Sequence, residues 1–183
     1  MTKRDLATRV DEVAAAGPAD EKLAGEESSQ FVFVNSACID MAIQISSTVE
    51  LVSALHLSIT KLPHLPSPFV GIFRRRGRLI PVIDGGLLIG GMPTSRGNHA
   101  RLIVCKSPEG ELGLIVDEVT SVTTVSMSSF REMASSQWSS AGEFVSSVVE
   151  FKGNEHVVVD ITRLWHYLRC RVPVREALSW KAI

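Results

Sequence analysis

From Phe31 to Asp160 the chain is a succession of short apolar, β-branched runs, each cut off by glycine, proline, asparagine or serine. Strands suit such lengths, because a packed helix needs a longer stretch with a 3.6-residue period. FVFV (31–34) stops at Asn35-Ser36. CIDMAIQI (38–45) then alternates Ile39, Met41, Ile43 and Ile45 with Asp40, Ala42 and Gln44, the period of a half-buried strand. STVELVSALHLSITKLPHLPSP (47–68) ends in prolines that can continue no ladder. GIFRRR and RLIPVID flank one turn, and RLIVCK (101–106) and ELGLIVDEV (111–119) flank Ser107-Pro108-Glu109-Gly110. VTTVSM (122–127) is a further strand. FVSSVVEFKG (144–153) and EHVVVD (155–160) make a closing hairpin that turns at Gly153-Asn154. Between these runs, DGGLLIGG (84–91) reads as an apolar hinge, MPTSRGNH as a flexible loop, and SSFREMASSQWSSAGE (128–143) as a polar connection.

One segment has a different period. After Asp160, whose carboxylate can cap the first backbone N–H groups, Ile161, Leu164, Trp165 and Leu168 recur on one helical face. Arg169 and Arg171 suit the negative end of that helix, and Pro173 stops it. Many short strands and one terminal helix make an all-β barrel protein with a C-terminal helix. The ends are of another character. Residues 1–29 are rich in Ala, Asp and Glu and lack aromatics, which reads as a disordered or partly helical leader. Residues 171–183 form a C-terminal extension with room for a short helix, VREALSW.

A formal net charge of -1 argues against nucleic acid, whose binders carry a basic excess over a whole face. A single-stranded nucleic-acid-binding barrel would also need stacking aromatics, and among the clustered arginines only Phe73 is present. Cys38, Cys105 and Cys170 have no CxxC spacing, so they read as reduced thiols of a soluble cytoplasmic protein. No run approaches the roughly 18 apolar residues of a membrane span. The five histidines, His56, His64, His99, His156 and His166, show no paired metal-ligand spacing, so neither metal nor cofactor is expected. DGGLLIGG lacks the G-K-[ST] of a phosphate loop, and there is no GxSxG elbow. Asp84, Asp117 and Asp160 stand at strand ends, where aspartates cap or turn. A small hydrolase would need an acid, a base and a nucleophile assembled, and no such set is visible.

The unusual motif is GIFRRRGRLIPVID (71–84), with Arg74, Arg75, Arg76 and Arg78 around one tight turn. If Arg76-Gly77 are the turn, Arg75 and Arg78 face each other, an unfavourable pairing unless an anion or solvent relieves it. Gly77 supplies the backbone freedom of that turn. Solvated decoration is the plain account of such a tip, and docking of an acidic partner is the functional one.

The stretch LPHLPSPFVGIFRRRGRLIPVIDGGLLIG (62–90) resembles the central signature of the CheW family, the bacterial chemotaxis coupling proteins: a proline loop, then G-x-x-N-L-R-G-x-x-x-P-V-x-D-L. Gly71, Arg76, Gly77, Pro81, Val82 and Asp84 fall in register with it. RLIVCK…LGLIVDEVTSV and FVSSVVEFKGNEHVVVDITRLW resemble the segments that follow, so the likeness runs through a domain at residues 30–170. It departs at Arg74-Arg75, where the family has Asn-Leu, and at Gly85, where it has leucine.

The resemblance implies two packed five-stranded β-barrels with an apolar groove between them and no catalytic activity. It implies an adaptor bridging the signalling tip of a chemoreceptor (a methyl-accepting chemotaxis protein) and the regulatory domain of a CheA-type histidine kinase. Such an adaptor would be cytoplasmic, reach the membrane only through receptors, and serve either flagellar chemotaxis or a pilus-motility or surface-sensing pathway. It makes Arg76 the family's fixed arginine and Glu50 its acidic partner, an expected Arg76–Glu50 contact. Partner binding is therefore expected from Glu50, Arg74, Arg75, Arg76, Gly77 and Arg78, with Val49, Leu51, Leu102, Val104, Leu114, Val116 and Val119 as candidate groove residues. Gly71, Pro81, Asp84 and Asp160 are expected to act structurally. Ordinary core packing competes with the groove reading for each of the apolar residues.

Overall fold

The computed structural model describes residues 27–132 and 141–171. Most of the expected leader and C-terminal extension lie outside those residues, but the leader's end does not: Ser28 already pairs in a strand. Among the described residues, twelve strands and two α-helices follow in order: β1 (Ser28–Ser36), β2 (Ile39–Gln44), β3 (Thr48–Ser53), β4 (Ile59–Thr60), β5 (Phe69–Arg75), β6 (Arg78–Asp84), α1 (Gly85–Ile89), β7 (Arg101–Ser107), β8 (Gly110–Val116), β9 (Glu118–Ser126), β10 (Phe130–Glu132), β11 (Val145–Phe151), β12 (Asn154–Val159) and α2 (Ile161–Arg171). They form two six-stranded sheets, β10-β11-β12-β2-β1-β9 and β3-β7-β8-β6-β5-β4. The mostly-β architecture with a C-terminal helix is as expected; the strand count per unit is six rather than five.

The two sheets share a plan. In each, two antiparallel hairpins are joined by a parallel ladder: β12 to β2 in one and β6 to β8 in the other. In each, an aspartate that ends or directly follows one strand of the parallel ladder, Asp84 of β6 or Asp160 after β12, caps a helix. Asp84 accepts from the Leu87 N–H at 3.1 Å, and Asp160 accepts from the Thr162 and Arg163 N–H groups at 2.9 and 3.0 Å. Both hairpins turn on a basic residue followed by glycine, Arg76-Gly77 and Lys152-Gly153, all four at positive φ. Positive φ at both central positions is the two-residue turn whose twist matches its flanking strands. The closing hairpin therefore turns one residue earlier than Gly153-Asn154. The first hairpin also turns later than expected, at Ala37-Cys38 rather than Asn35-Ser36.

Alternation along the strands explains the core. In β7, Ile103 and Cys105 face a large cluster shared by both sheets and α2, whereas Leu102 and Val104 face a cluster enclosed by the second sheet alone. In β12, Val157 and Val159 enter the shared core and Val158 enters a third cluster behind the first sheet, with Phe31, Phe33 and Val149. Both faces of each sheet are thus partly buried, which is why these strands read as nearly continuous apolar runs. Helix α2 closes the shared core with Ile161, Leu164, Tyr167 and Leu168.

Cys105 lies inside that core, and burial pushes its thiol up to about 12. Cys38 and Cys170 are exposed. Since the thiolate is the reactive form, a small disulfide reagent should titrate two thiols quickly and the third only at the rate of unfolding. A third fast equivalent would mean that the shared core opens in the native state.

Candidate partner-binding site

Strand β5 carries the arginines with a two-residue period. Phe73 packs on the cluster inside the second sheet, and Arg75 follows it on the same face at the end of the strand. Two carboxylates meet it there. Arg75 Nε donates to Glu50 Oε2 of β3 at 2.6 Å, and Nη1 lies 3.5 Å from Glu111 Oε2 of β8. The Arg75 side chain is only 13% exposed, so the guanidinium is shielded from water although its partner Glu50 is 38% exposed. A guanidinium fork between acids on separate strands ties β5 to the edge strand β3 and to the interior strand β8.

This corrects the expected contact: Glu50 pairs with Arg75, not Arg76. Arg76 occupies the turn itself at φ 47°, off the ladder, and is exposed. Arg75 and Arg78 are cross-strand partners as expected, and their repulsion is relieved because Arg75 folds onto Glu50 and Glu111. Gly77 sits at φ 83°, and a Cβ there would meet nothing within 4 Å, so the turn needs its conformation and not its small size. Arg74, Arg76 and Arg78 are exposed, and no carboxylate pairs with them among the described residues.

The groove candidates separate by burial. Val49 and Leu51, on the outward face of the edge strand β3, are each 38% exposed. Leu79 beside Arg74 is also exposed, and the motif reading passed over it. Leu102, Val104, Leu114 and Val116 are fully buried, and Val119 packs against the shared core. The groove assignment of Leu102, Val104, Leu114 and Val116 is therefore corrected. Strand alternation turns Leu102 and Val104 into the second sheet's interior and Leu114 and Val116 into the core between the sheets.

The expected structural residues are each explained by position. A Cβ on Gly71, at φ 152°, would stand 2.3 Å from the Thr60 carbonyl oxygen, so β4 can approach β5 only at glycine. Pro81 pairs with Ile72, and the ladder from β6 to β8 begins one residue later, at Val82. The missing N–H therefore costs no bond on the β8 side.

Asp84 does more than cap α1. Its Oδ1 accepts from the Thr94 N–H at 3.0 Å and the Thr94 hydroxyl at 2.7 Å. The Thr94 oxygen lies 2.8 Å from Ser36 Oγ of β1 and accepts from the Gly86 N–H at 3.2 Å. Asp117 adds a second clasp by accepting from the backbone N–H groups of Ala37 and Ser95. The segment expected to be a flexible loop is thus anchored by buried Thr94 at the junction of the two sheets, and the glycine hinge is helix α1. Thr94 was missed because an isolated threonine in a loop has no sequence signature. A Cβ on Gly86 would press 2.3 Å from the Met92 carbonyl, so this clasp also depends on the glycine pair after Asp84.

Elsewhere the surface offers a cleft of about 280 Å³ on α2, lined by Glu109, Glu143, Thr162, Arg163, His166 and Tyr167. Its carboxylates are engaged by Arg169 and Arg171. No cluster of three or more potential metal ligands occurs among the described residues, and none of the described helices is long and apolar enough to cross a membrane.

The class these features define is a double-sheet β module with a helix-closed core and a braced basic hairpin. The chain belongs to the family described by the CheW-like domain, whose model matches residues 30–168. A curated relative, the "Probable chemotaxis protein CheW" of Rhizobium etli, is 32% identical over 66 residues, which cover 36% of this chain. That match spans only 43% of the relative's own length. The crystal structure of the scaffolding protein TtCheW from Thermoanaerobacter tengcongensis has the same fold, with a TM-score of 0.68 at 24% identity over 83% of this chain and 99% of that one.

Proposed function

We propose that this protein is a non-enzymatic adaptor that couples chemoreceptors to a CheA-type histidine kinase at the cytoplasmic face of the membrane. The observation that carries this reading is the family match across residues 30–168, together with a hairpin whose base is braced and whose tip is left charged and open. An adaptor must hold two partners in fixed geometry, so that receptor state biases kinase conformation through differential contacts. The brace at Arg75, Glu50 and Glu111 gives the hairpin that rigidity, and Arg74, Arg76 and Arg78 supply the long-range attraction that selects an acidic surface. Val49 and Leu51 on the β3 edge are the apolar anchors for the second partner.

Co-precipitation with the kinase regulatory domain and with a receptor signalling tip tests this. Arg76→Ala should change stability by no more than about 0.5 kcal/mol, as is usual for surface sites. It should nevertheless weaken kinase capture several-fold at low salt and flatten its salt dependence. Unchanged capture would remove the tip from the interface, and failure of the unsubstituted protein to capture either partner would overturn the adaptor reading.

A further inference from the structure

Arg74, Arg76 and Arg78 gather on one hairpin positive charge that no carboxylate pairs among the described residues, whereas Arg75, Arg131, Arg163, Arg169 and Arg171 each reach a carboxylate. Like charges so close raise the local potential and favour an anionic occupant. The sequence itself supplies one. Between residues 11 and 26 stand Asp11, Glu12, Asp20, Glu21 and Glu26 against a single base, Lys22. That stretch joins the fold at Glu27, whose carbonyl accepts from the Met127 N–H at 2.9 Å just ahead of β1. Extended, it can span about 50 Å, against roughly 40 Å for the diameter of a folded body of this size. The hairpin is therefore within reach from its point of attachment.

We propose that the acidic stretch 11–26 of this chain docks on Arg74, Arg76 and Arg78 and covers the hairpin tip until an acidic partner displaces it. Each exposed ion pair contributes less than about 1 kcal/mol, but the tether holds the acidic stretch near the tip at an effective concentration in the millimolar range. A partner then binds only the uncovered fraction, so its apparent affinity falls in proportion to the cover. This inference rests on charge and reach and stands apart from the identity of the partner.

Paramagnetic broadening in the full chain tests it. A nitroxide is attached through Ala16→Cys, with Cys38→Ser and Cys170→Ser removing the other exposed thiols; Cys105 stays buried. Amide signals of residues 74–79 should lose at least half their intensity at low salt. They should recover it in 1 M salt, where the screening length is about 3 Å, and in a full chain carrying Arg74→Gln, Arg76→Gln and Arg78→Gln. Undisturbed shifts elsewhere verify that this variant is folded. Absence of broadening at 74–79, or broadening that ignores salt, overturns the proposal and leaves the tip open to another protein. Broadening that persists when spin-labelled chain is mixed with unlabelled isotope-enriched chain overturns it in favour of a second copy.

Discussion

Asp84→Ala should lower stability by about 3 kcal/mol, a fall of roughly 10 °C in melting temperature for a domain of this size. The substitution deletes the whole carboxylate, of which one oxygen, Oδ1, accepts from the Leu87 N–H, the Thr94 N–H and the Thr94 hydroxyl. These donors lie in a site from which water is largely excluded, since Asp84 and Thr94 are both buried. Stranding buried donors costs more than the net value of the bonds they made. Asp84→Asn keeps an acceptor at Oδ1 and loses only the weaker 3.2 Å arm from the Thr94 N–H to Oδ2, so it should cost about 1 kcal/mol. Thermal melts of the two variants check the difference. Amide exchange should quicken in residues 92–100 for the alanine variant first, because Thr94 loses its main anchor. Equal effects of Ala and Asn would show that the carboxylate acts by charge and not by this geometry.

The second large effect is expected at the brace. Arg75→Glu should destabilise by about 3 kcal/mol or more, because it replaces the shared cation with a third carboxylate beside Glu50 and Glu111. Restoring an opposite charge by adding Glu50→Arg should recover part of the loss, and the coupling in this double-mutant cycle should exceed about 1 kcal/mol. The same charge reversal at Arg76 should leave stability nearly unchanged, since that side chain is exposed and pairs with no described carboxylate. Chemical denaturation at constant slope reads all three. Additive effects in the cycle would mean that Arg75 and Glu50 merely coexist in solvent.

The contrast between Arg75 and Arg76 marks where the sequence ceases to be legible. The turn at Arg76-Gly77, the cross-strand meeting of Arg75 with Arg78, and the capped helix after Asp160 all follow from local rules of period and turn chemistry. Local rules also expose Phe73 and Arg75 as neighbours on one face, yet they cannot say that this face looks into a barrel-like interior. Pairing Glu50 with Arg76 came from family register, and the chain departs from the family at that place, with an arginine where leucine is usual. The buried fate of Leu102, Val104 and Val116 was hidden for a related reason. When both faces of a strand are covered, alternation separates two sides but does not label either as surface. Asp84 was legible as a strand-end cap, but its tie to Thr94 and Ser36 spans contacts that no spacing rule encodes.

The parallel ladder from β2 to β12 sets Met41 beside Val157, and Ala42 beside Val158. The partner strands of β3–β8 all lie between Thr48 and Val116. During synthesis the middle of the chain can therefore complete its own pairings while the opening hairpin waits, half-dressed, for a strand the ribosome delivers more than a hundred residues later.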